Sequence, residues 1–234
     1  MSQSALASGL TGQLELRKDT IAQGHRPIGW KAGFGAPAWR QRFRTDGPLV
    51  GFITDATLLD DGAEVDISGW ARPVAEPEIA AYLGSDLLPG GGQEEIRAAI
   101  SAIGPAIELA DIDPPPEELH EILVGNVFHR GVVLSPPDPG RAGADLTGLE
   151  ARVRVDHREQ ARTNRLEDLA GSVIEVVSHL SDLLANHDEI MRAGDVVICG
   201  SVVPLIDLFP GVTVEFELYP MEPISFGGRS RSGS

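Results

Sequence analysis

Three carboxylates carry the strongest chemical signal in this chain. Glu76 and Glu78 stand two apart in Arg72-Pro73-Val74-Ala75-Glu76-Pro77-Glu78-Ile79-Ala80-Ala81-Tyr82-Leu83. Glu108 lies inside the otherwise apolar Gly104-Pro105-Ala106-Ile107-Glu108-Leu109-Ala110, an unusual place for an acid. In an extended segment residues i and i+2 leave the same face, so Glu76 and Glu78 would project side by side. Adjacent carboxylates repel, and burial sharpens the repulsion. A protein that gathered all three would need positive charge between them. A hard divalent cation with oxygen ligands, Mg²⁺ or Mn²⁺, supplies it. The plainer reading stays open at this point: Glu-x-Glu is often a solvated strand face, and Glu108 can pair with an arginine.

The elements that must position these residues follow from periodicity. Leu6, Leu10 and Leu14 recur at i+4 and Ile21 follows, a helix that Gly24 stops. From about residue 48 short apolar stretches rich in Val and Ile alternate with Gly, Pro and Asp, at 49–54, 78–83, 103–109, 132–134, 151–155, 196–199 and 212–218. Two helices interrupt them, at 93–102 and along the apolar stripe Val173, Val176, Val177, Leu180, Leu183 and Leu184. Strands and helices do not alternate evenly, so a doubly wound sheet fits poorly. The expected class is α+β: a rolled, mixed, barrel-like β-sheet with flanking helices and a short helical N-terminal part. The expected division is a helical segment 1–50, a β-rich catalytic body 51–226 and a disordered, low-complexity tail 227–234.

Composition narrows the partners. The 234 residues are 42% hydrophobic and 23% charged, which suits a globular chain with a sizeable core. With 35 acidic and 19 basic residues the formal charge is −16, so nucleic acid and anionic membrane are poor partners. No apolar run approaches a spanning helix, and the N-terminus lacks the pattern of a signal peptide. The single cysteine, Cys199, excludes an internal disulfide and a Cys-rich zinc site. A reducing cytoplasm is the expected compartment.

Five segments, taken in order, resemble the fumarylacetoacetate hydrolase superfamily, in particular its 2-keto-4-pentenoate hydratase / 4-oxalocrotonate decarboxylase branch. They are Gly29-Trp30-Lys31-Ala32-Gly33, Val74-Ala75-Glu76-Pro77-Glu78-Ile79-Ala80, Ala106-Ile107-Glu108, Gly125-Asn126-Val127-Phe128-His129-Arg130-Gly131-Val132-Val133-Leu134 and Ala193-Gly194-Asp195-Val196-Val197-Ile198-Cys199-Gly200-Ser201. The likeness runs from about residue 5 to 226. It implies one Mg²⁺ or Mn²⁺ held by Glu76, Glu78 and Glu108, with Lys31 at the family's active-site lysine. It implies short 2-keto acids or their dienol forms as substrates, with hydration of a 2-hydroxy-2,4-dienoate as the leading reaction. Decarboxylation of the 4-oxalocrotonate type, or acylpyruvate hydrolysis or oxaloacetate tautomerisation, are the sister activities. It also implies an assembly of identical subunits, with a sister enzyme of the same pathway as a further candidate partner. A non-catalytic partner subunit or a dicarboxylate-binding relative is the alternative of another class.

Two departures from that branch bear on the reaction. Where the hydratases carry an acid two positions before the glycine matching Gly51, this chain has Leu49, which weakens the case for water addition. The small-residue loop before the late helix is replaced by Arg162-Thr163-Asn164-Arg165, arginines that suit either a second substrate carboxylate or the surface.

Other residues carry competing readings. Asn126 is a candidate contact to the substrate, or to a residue that touches it, or else a helix cap. His129 can donate near a metal or be a satisfied strand histidine. Ser201 can bind a substrate carboxylate or shape a turn. Gly33-Phe34-Gly35-Ala36-Pro37-Ala38, with Asp55 beyond it, superficially suits a dinucleotide site, but residues 25–31 read as a poor buried strand. Asp111, Asp113, Glu117, Glu118, His120 and Glu121 read as caps and a solvated helix face, and the loop after Glu108 is a candidate lid.

Overall fold

The computed structural model describes residues 2–112 and 118–230. In chain order the elements are α1 (Ser2–Ala22), β1 (Pro27–Gly33), α2 (Pro37–Phe43), β2 (Leu49–Thr54), β3 (Leu58–Leu59), β4 (Ala63–Asp66), β5 (Pro73–Leu83), α3 (Gln93–Ala99), β6 (Ile100–Asp111), α4 (Leu119–Val124), β7 (His129–Leu134), β8 (Glu150–Val155), β9 (Arg158–Thr163), α5 (Val173–Ala185), β10 (Val196–Ser201), β11 (Ile206–Asp207), β12 (Thr213–Tyr219) and β13 (Ile224–Arg229). Eight strands form one mixed sheet in the order β2-β1-β10-β5-β6-β7-β3, with β11 paired on β5. Five form a second sheet, β4-β13-β12-β8-β9. The class is α+β, as read from the sequence.

The large sheet curls. Its two end strands, β2 and β3, are separated in sequence only by the 3₁₀ turn Asp55–Thr57, so one short connection draws opposite ends of the sheet together. The period-2 rule then divides the sheet into two faces. One face carries Trp30, Phe52, Ile79, Ile107 and Val197 into the main core, against Val153, Phe216 and Phe226 of the second sheet and the Val176, Val177 and Leu180 stripe of α5. The other face is the inside of the curl. Part of it is filled by Ile53, Ala80, Ala106, Val132, Val196 and Ile198. Farther along the same strands that face carries Glu76, Glu78, Glu108 and Lys31.

The sequence expectations need correction at both ends of the chain. Residues 27–33 are not a poor strand but β1, an interior strand of the large sheet between β2 and β10, with Trp30 and Lys31 both fully buried. The apolar stem of Lys31 and the aromatic Trp30 satisfy a strand on alternate faces, a pattern hidden by Pro27 and three glycines nearby. Lys31 therefore belongs to the sheet, not to a separate helical piece, and β2 beside it is antiparallel to β1, so no βαβ dinucleotide unit forms at Gly33-Phe34-Gly35. At the other end, the low-complexity look of 227–229 conceals strand pairing. Gly227, Gly228 and Arg229 continue β13 in parallel with Glu64, Val65 and Asp66 of β4. The rest of the expected tail, 231–234, lies outside the described residues, as do Asp113 and Glu117. Most of the loop read as a candidate lid lies there as well.

Candidate active site

Register alone brings the carboxylates together. In the antiparallel β5–β6 pair Glu76 stands directly opposite Glu108, and Glu78 opposite Ala106. Glu78 is two positions along β5 on the same face as Glu76. Glu78 and Glu108 are fully buried, while Glu76 keeps part of its surface open to a cavity that it lines.

Lys31 enters from β1. Its ammonium donates a short hydrogen bond to Glu108 Oε1 and a second, at 3.1 Å, to the main-chain oxygen of Val127. An ammonium has three donors, so one is left for the cavity that Lys31 lines. The stem passes over β2 at Gly51, the register partner of Lys31. A Cβ there would stand 2.6 Å from Lys31 Cγ, so only glycine leaves room.

His129 also turns to Glu108, with Nδ1 2.7 Å from Oε1 and Nε2 2.9 Å from the Thr57 hydroxyl. Burial lowers its affinity for a proton more than the Glu108 carboxylate raises it, which favours the neutral ring. Glu78 is held from β10. A register shift between Ile198 and Ser201 bulges the strand, and Gly200, at φ +94°, points its N–H at Glu78 Oε2 at 2.6 Å.

The charges are unevenly compensated. Burial and the Glu108 charge push Glu76 up to about 7. Burial, with the charges of Glu108 and Glu76, drives Glu78 well above the carboxylate range. Burial also acts to raise Glu108, but Lys31 and His129 together outweigh it and hold its carboxyl below the usual value. Two buried carboxylate oxygens, Glu78 Oε1 and Glu108 Oε2, have no hydrogen-bond partner among the described residues. Such atoms are rare in folded proteins and call for an explanation. Among the described residues no three acidic, imidazole or thiol groups converge tightly enough to cage a metal as they stand. The donor set nevertheless fits a hard cation. It consists of carboxylate oxygens, two of them unpartnered, in a pocket whose own lysine neutralises only one of the three acids.

The remaining candidates sort differently. Asn126 spends its side chain on the backbone of Phe52, accepting from its N–H at 2.8 Å and donating to its carbonyl at 2.9 Å. Asn126, Val127 and Phe128 all have positive φ (54°, 53° and 63°), a left-handed turn that a β-branched residue rarely enters. Asn126 thus pins the turn whose carbonyl meets Lys31. Its amide therefore bears on the site through Lys31, the indirect one of the two contacts expected of it. Ser201 lines the cavity, but its hydroxyl donates to its own strand's neighbours, Val203 O at 2.7 Å and, more weakly, Pro77 O at 3.3 Å. His129 lines no part of the cavity and touches Glu108 from behind.

The departures also find places. Leu49 is buried among Phe43, Leu119, Ile122, Leu123 and Val127. Arg162 and Arg165 pair on the surface with Glu159 and Asp168, away from the cavity, so they do not meet a substrate there. Asp111 is no helix cap: it is buried and accepts from the N–H groups of Ala71 and Arg72, tying down the entrance to β5. Cys199 is buried, its thiol pushed up by burial. The roles of Thr57, Val127, Gly51 and Gly200 were not legible in the sequence because they belong to main-chain atoms, to a missing side chain or to a hydroxyl reached only through the fold.

The chain is similar to known proteins over most of its length. Residues 33–227 match the family model described as fumarylacetoacetate (FAA) hydrolase C-terminal. A 4-oxalocrotonate decarboxylase from Pseudomonas sp. is 26% identical over 208 residues, covering 88% of this chain and 80% of the relative. A 2-hydroxyhexa-2,4-dienoate hydratase from Comamonas testosteroni is 29% identical over 196 residues, covering 81% and 74%. Among solved structures, the 4-oxalocrotonate decarboxylase from Pseudomonas putida G7 complexed with magnesium and adipate superimposes with a TM-score of 0.86 at 21% identity. That match covers 95% of this chain and 86% of the other.

Proposed function

The chain belongs to the fumarylacetoacetate hydrolase family, and from that premise we propose that it is a divalent-cation-dependent enzyme of short 2-keto acids or their dienol forms. Its leading reaction is hydration of a 2-hydroxy-2,4-dienoate. The observation that carries this reading is the pair of unpartnered buried oxygens, Glu78 Oε1 and Glu108 Oε2, in a site where Glu76 and Glu78 resist ionisation without a cation. Relatives named for hydratase and decarboxylase reactions, and a fold neighbour that holds magnesium, support it.

Glu76, Glu78 and Glu108 would hold Mg²⁺ or Mn²⁺. When bound, such an ion supplies Lewis acidity at a keto oxygen and stabilises negative charge as an enolate forms. The chain's own residues do the rest. Lys31 keeps Glu108 anionic and directs its free donor into the cavity, where it can grip the substrate carboxylate or move a proton at the substrate carbon. His129 and Thr57 fix the orientation of Glu108 from behind, and the Gly200 N–H does the same for Glu78. Gly51 and the left-handed turn at Val127 set the reach of Lys31. Apolar groups make up most of the cavity wall around Lys31.

One observation favours a second reading, decarboxylation. Leu49 follows the lysine strand in an apolar cluster and places no acid there to orient water. Calorimetric titration of Mg²⁺ into chelator-treated protein tests the common part. A saturable heat that Glu78→Ala abolishes is expected, and an unchanged heat in that variant would sink the metal site. Loss of ultraviolet absorbance from 2-hydroxypenta-2,4-dienoate without CO₂ release supports hydration. CO₂ release from 4-oxalocrotonate supports the second reading.

A further inference from the structure

The outer cavity differs chemically from its floor, and from this we propose that the substrate carries a bulky apolar group, of aryl or branched-alkyl size, at the end distal to its 2-keto acid. The inference rests on the keto-acid reading above and adds the substrate class. The cavity encloses about 650 Å³. That lies within the roughly 300–1,000 Å³ typical of sites for drug-sized ligands and exceeds what a five-carbon acid fills. Lys31, buried beside Glu108, marks the floor. Leu169 and Leu205, 43% and 42% exposed, mark the mouth.

Between them the wall is aromatic. Phe34 meets Trp39 edge to face at 5.1 Å and lies 6.1 Å from Phe128, and all three rings line the cavity. Rings that buttress one another form a stiff apolar surface suited to another ring or a branched chain. Beyond Lys31 and Glu76, Arg72 is the one charged residue among the described lining. Its guanidinium is already bonded to Asp207 at 3.2 Å in an exposed position. A distal carboxylate would have to be dehydrated against the rings or displace Asp207 from Arg72. An apolar tail meets neither penalty.

Affinities of 2-oxo acids, measured by calorimetry with saturating Mg²⁺ and again with chelator, test this. The critical pair is 5-methyl-2-oxohexanoate and 2-oxoglutarate, which match in heavy-atom count and differ by isopropyl against carboxylate. The branched acid should bind at least tenfold tighter. Along 2-oxobutanoate, 2-oxopentanoate and 2-oxohexanoate, affinity should rise by about fourfold per methylene. Trp39→Ala should weaken 4-phenyl-2-oxobutanoate at least tenfold more than 2-oxobutanoate. Leu205→Asp, at the exposed mouth, should do the same without disturbing the core. Equal or tighter binding of 2-oxoglutarate, or a flat alkyl series, overturns the proposal, as does binding that depends on Arg72 and not on Trp39. If Mg²⁺ strengthens none of these acids, the keto-acid reading fails. The tail preference is then still decided by the ratios measured with chelator, so the two failures are told apart.

Discussion

The main-chain oxygen of Val127 accepts a hydrogen bond from Lys31 Nζ at 3.1 Å, joining residues 96 apart in the chain. The bond exists because residues 126–128 turn left-handed, and the turn is held to β2 by the Asn126 amide on both backbone groups of Phe52. Asn126→Ala should therefore cost about 1–3 kcal/mol, since a buried donor and acceptor lose their partners. It should also lower metal-dependent solvent deuterium exchange at C3 of a 2-keto acid by about tenfold or more, because Lys31 loses its anchor. Thermal melts and exchange per folded molecule separate the effects. A lowered Tm with unchanged exchange would make the turn merely structural.

Gly51→Ala probes the same lysine from the other side. The added methyl would lie 2.6 Å from Lys31 Cγ and 2.9 Å from Cδ. Overpacking of this kind costs about 1–3 kcal/mol. The expected result is a modest fall in Tm with a larger loss of exchange activity. A variant with wild-type turnover would show that Lys31 tolerates displacement.

Glu78→Gln separates stability from metal binding. Glu78 is buried, unpaired at Oε1 and hard to ionise. The chelator-treated variant should melt at the same temperature as the wild type or higher, because a buried acid among like charges becomes a neutral amide. Wild-type protein at about 100-fold excess of Mg²⁺ over Kd should gain about 2.7 kcal/mol by linkage, whereas the variant should gain little. A full metal-induced rise in the variant would remove Glu78 from the ligand set.

The pH dependence follows from the same charges. Burial, with the Glu108 charge, raises Glu76 from 4.5 to about 7 in the folded chain, so the folded state holds a proton that the unfolded state has released between those values. The stabilisation is fully present below pH 4.5 and is lost as pH rises through about 7. Glu78 acts in the same direction, whereas the depressed Glu108 contributes stability that is present above about pH 4.5 and lost as pH falls below it, outside this window. With chelator, Tm should fall from about pH 5 to pH 7.5, whereas saturating Mg²⁺ should abolish or reverse the slope. A flat metal-free profile would mean that these carboxyls are not coupled as the geometry implies.

Some of this was visible in the sequence because it depends on local rules. Glu76 and Glu78 share a strand face through the period of two, the α5 stripe repeats at helical spacing, and Glu108 stands out as an acid in an apolar run. The five ordered segments carried the family. The rest required the fold. That Glu76 faces Glu108 is a matter of strand register. That β1 is a strand at all is decided by its pairing with β2 and β10, which offsets the poor propensity of its glycines. Asn126 turned out to pin a turn and Leu49 to fill an apolar pocket, because their partners, Phe52 and Leu123, lie 74 residues away in each case. Long-range pairing selects among the roles that residue chemistry permits. The sequence by itself determined which groups could do the chemistry, and only the tertiary structure decided which of them meet.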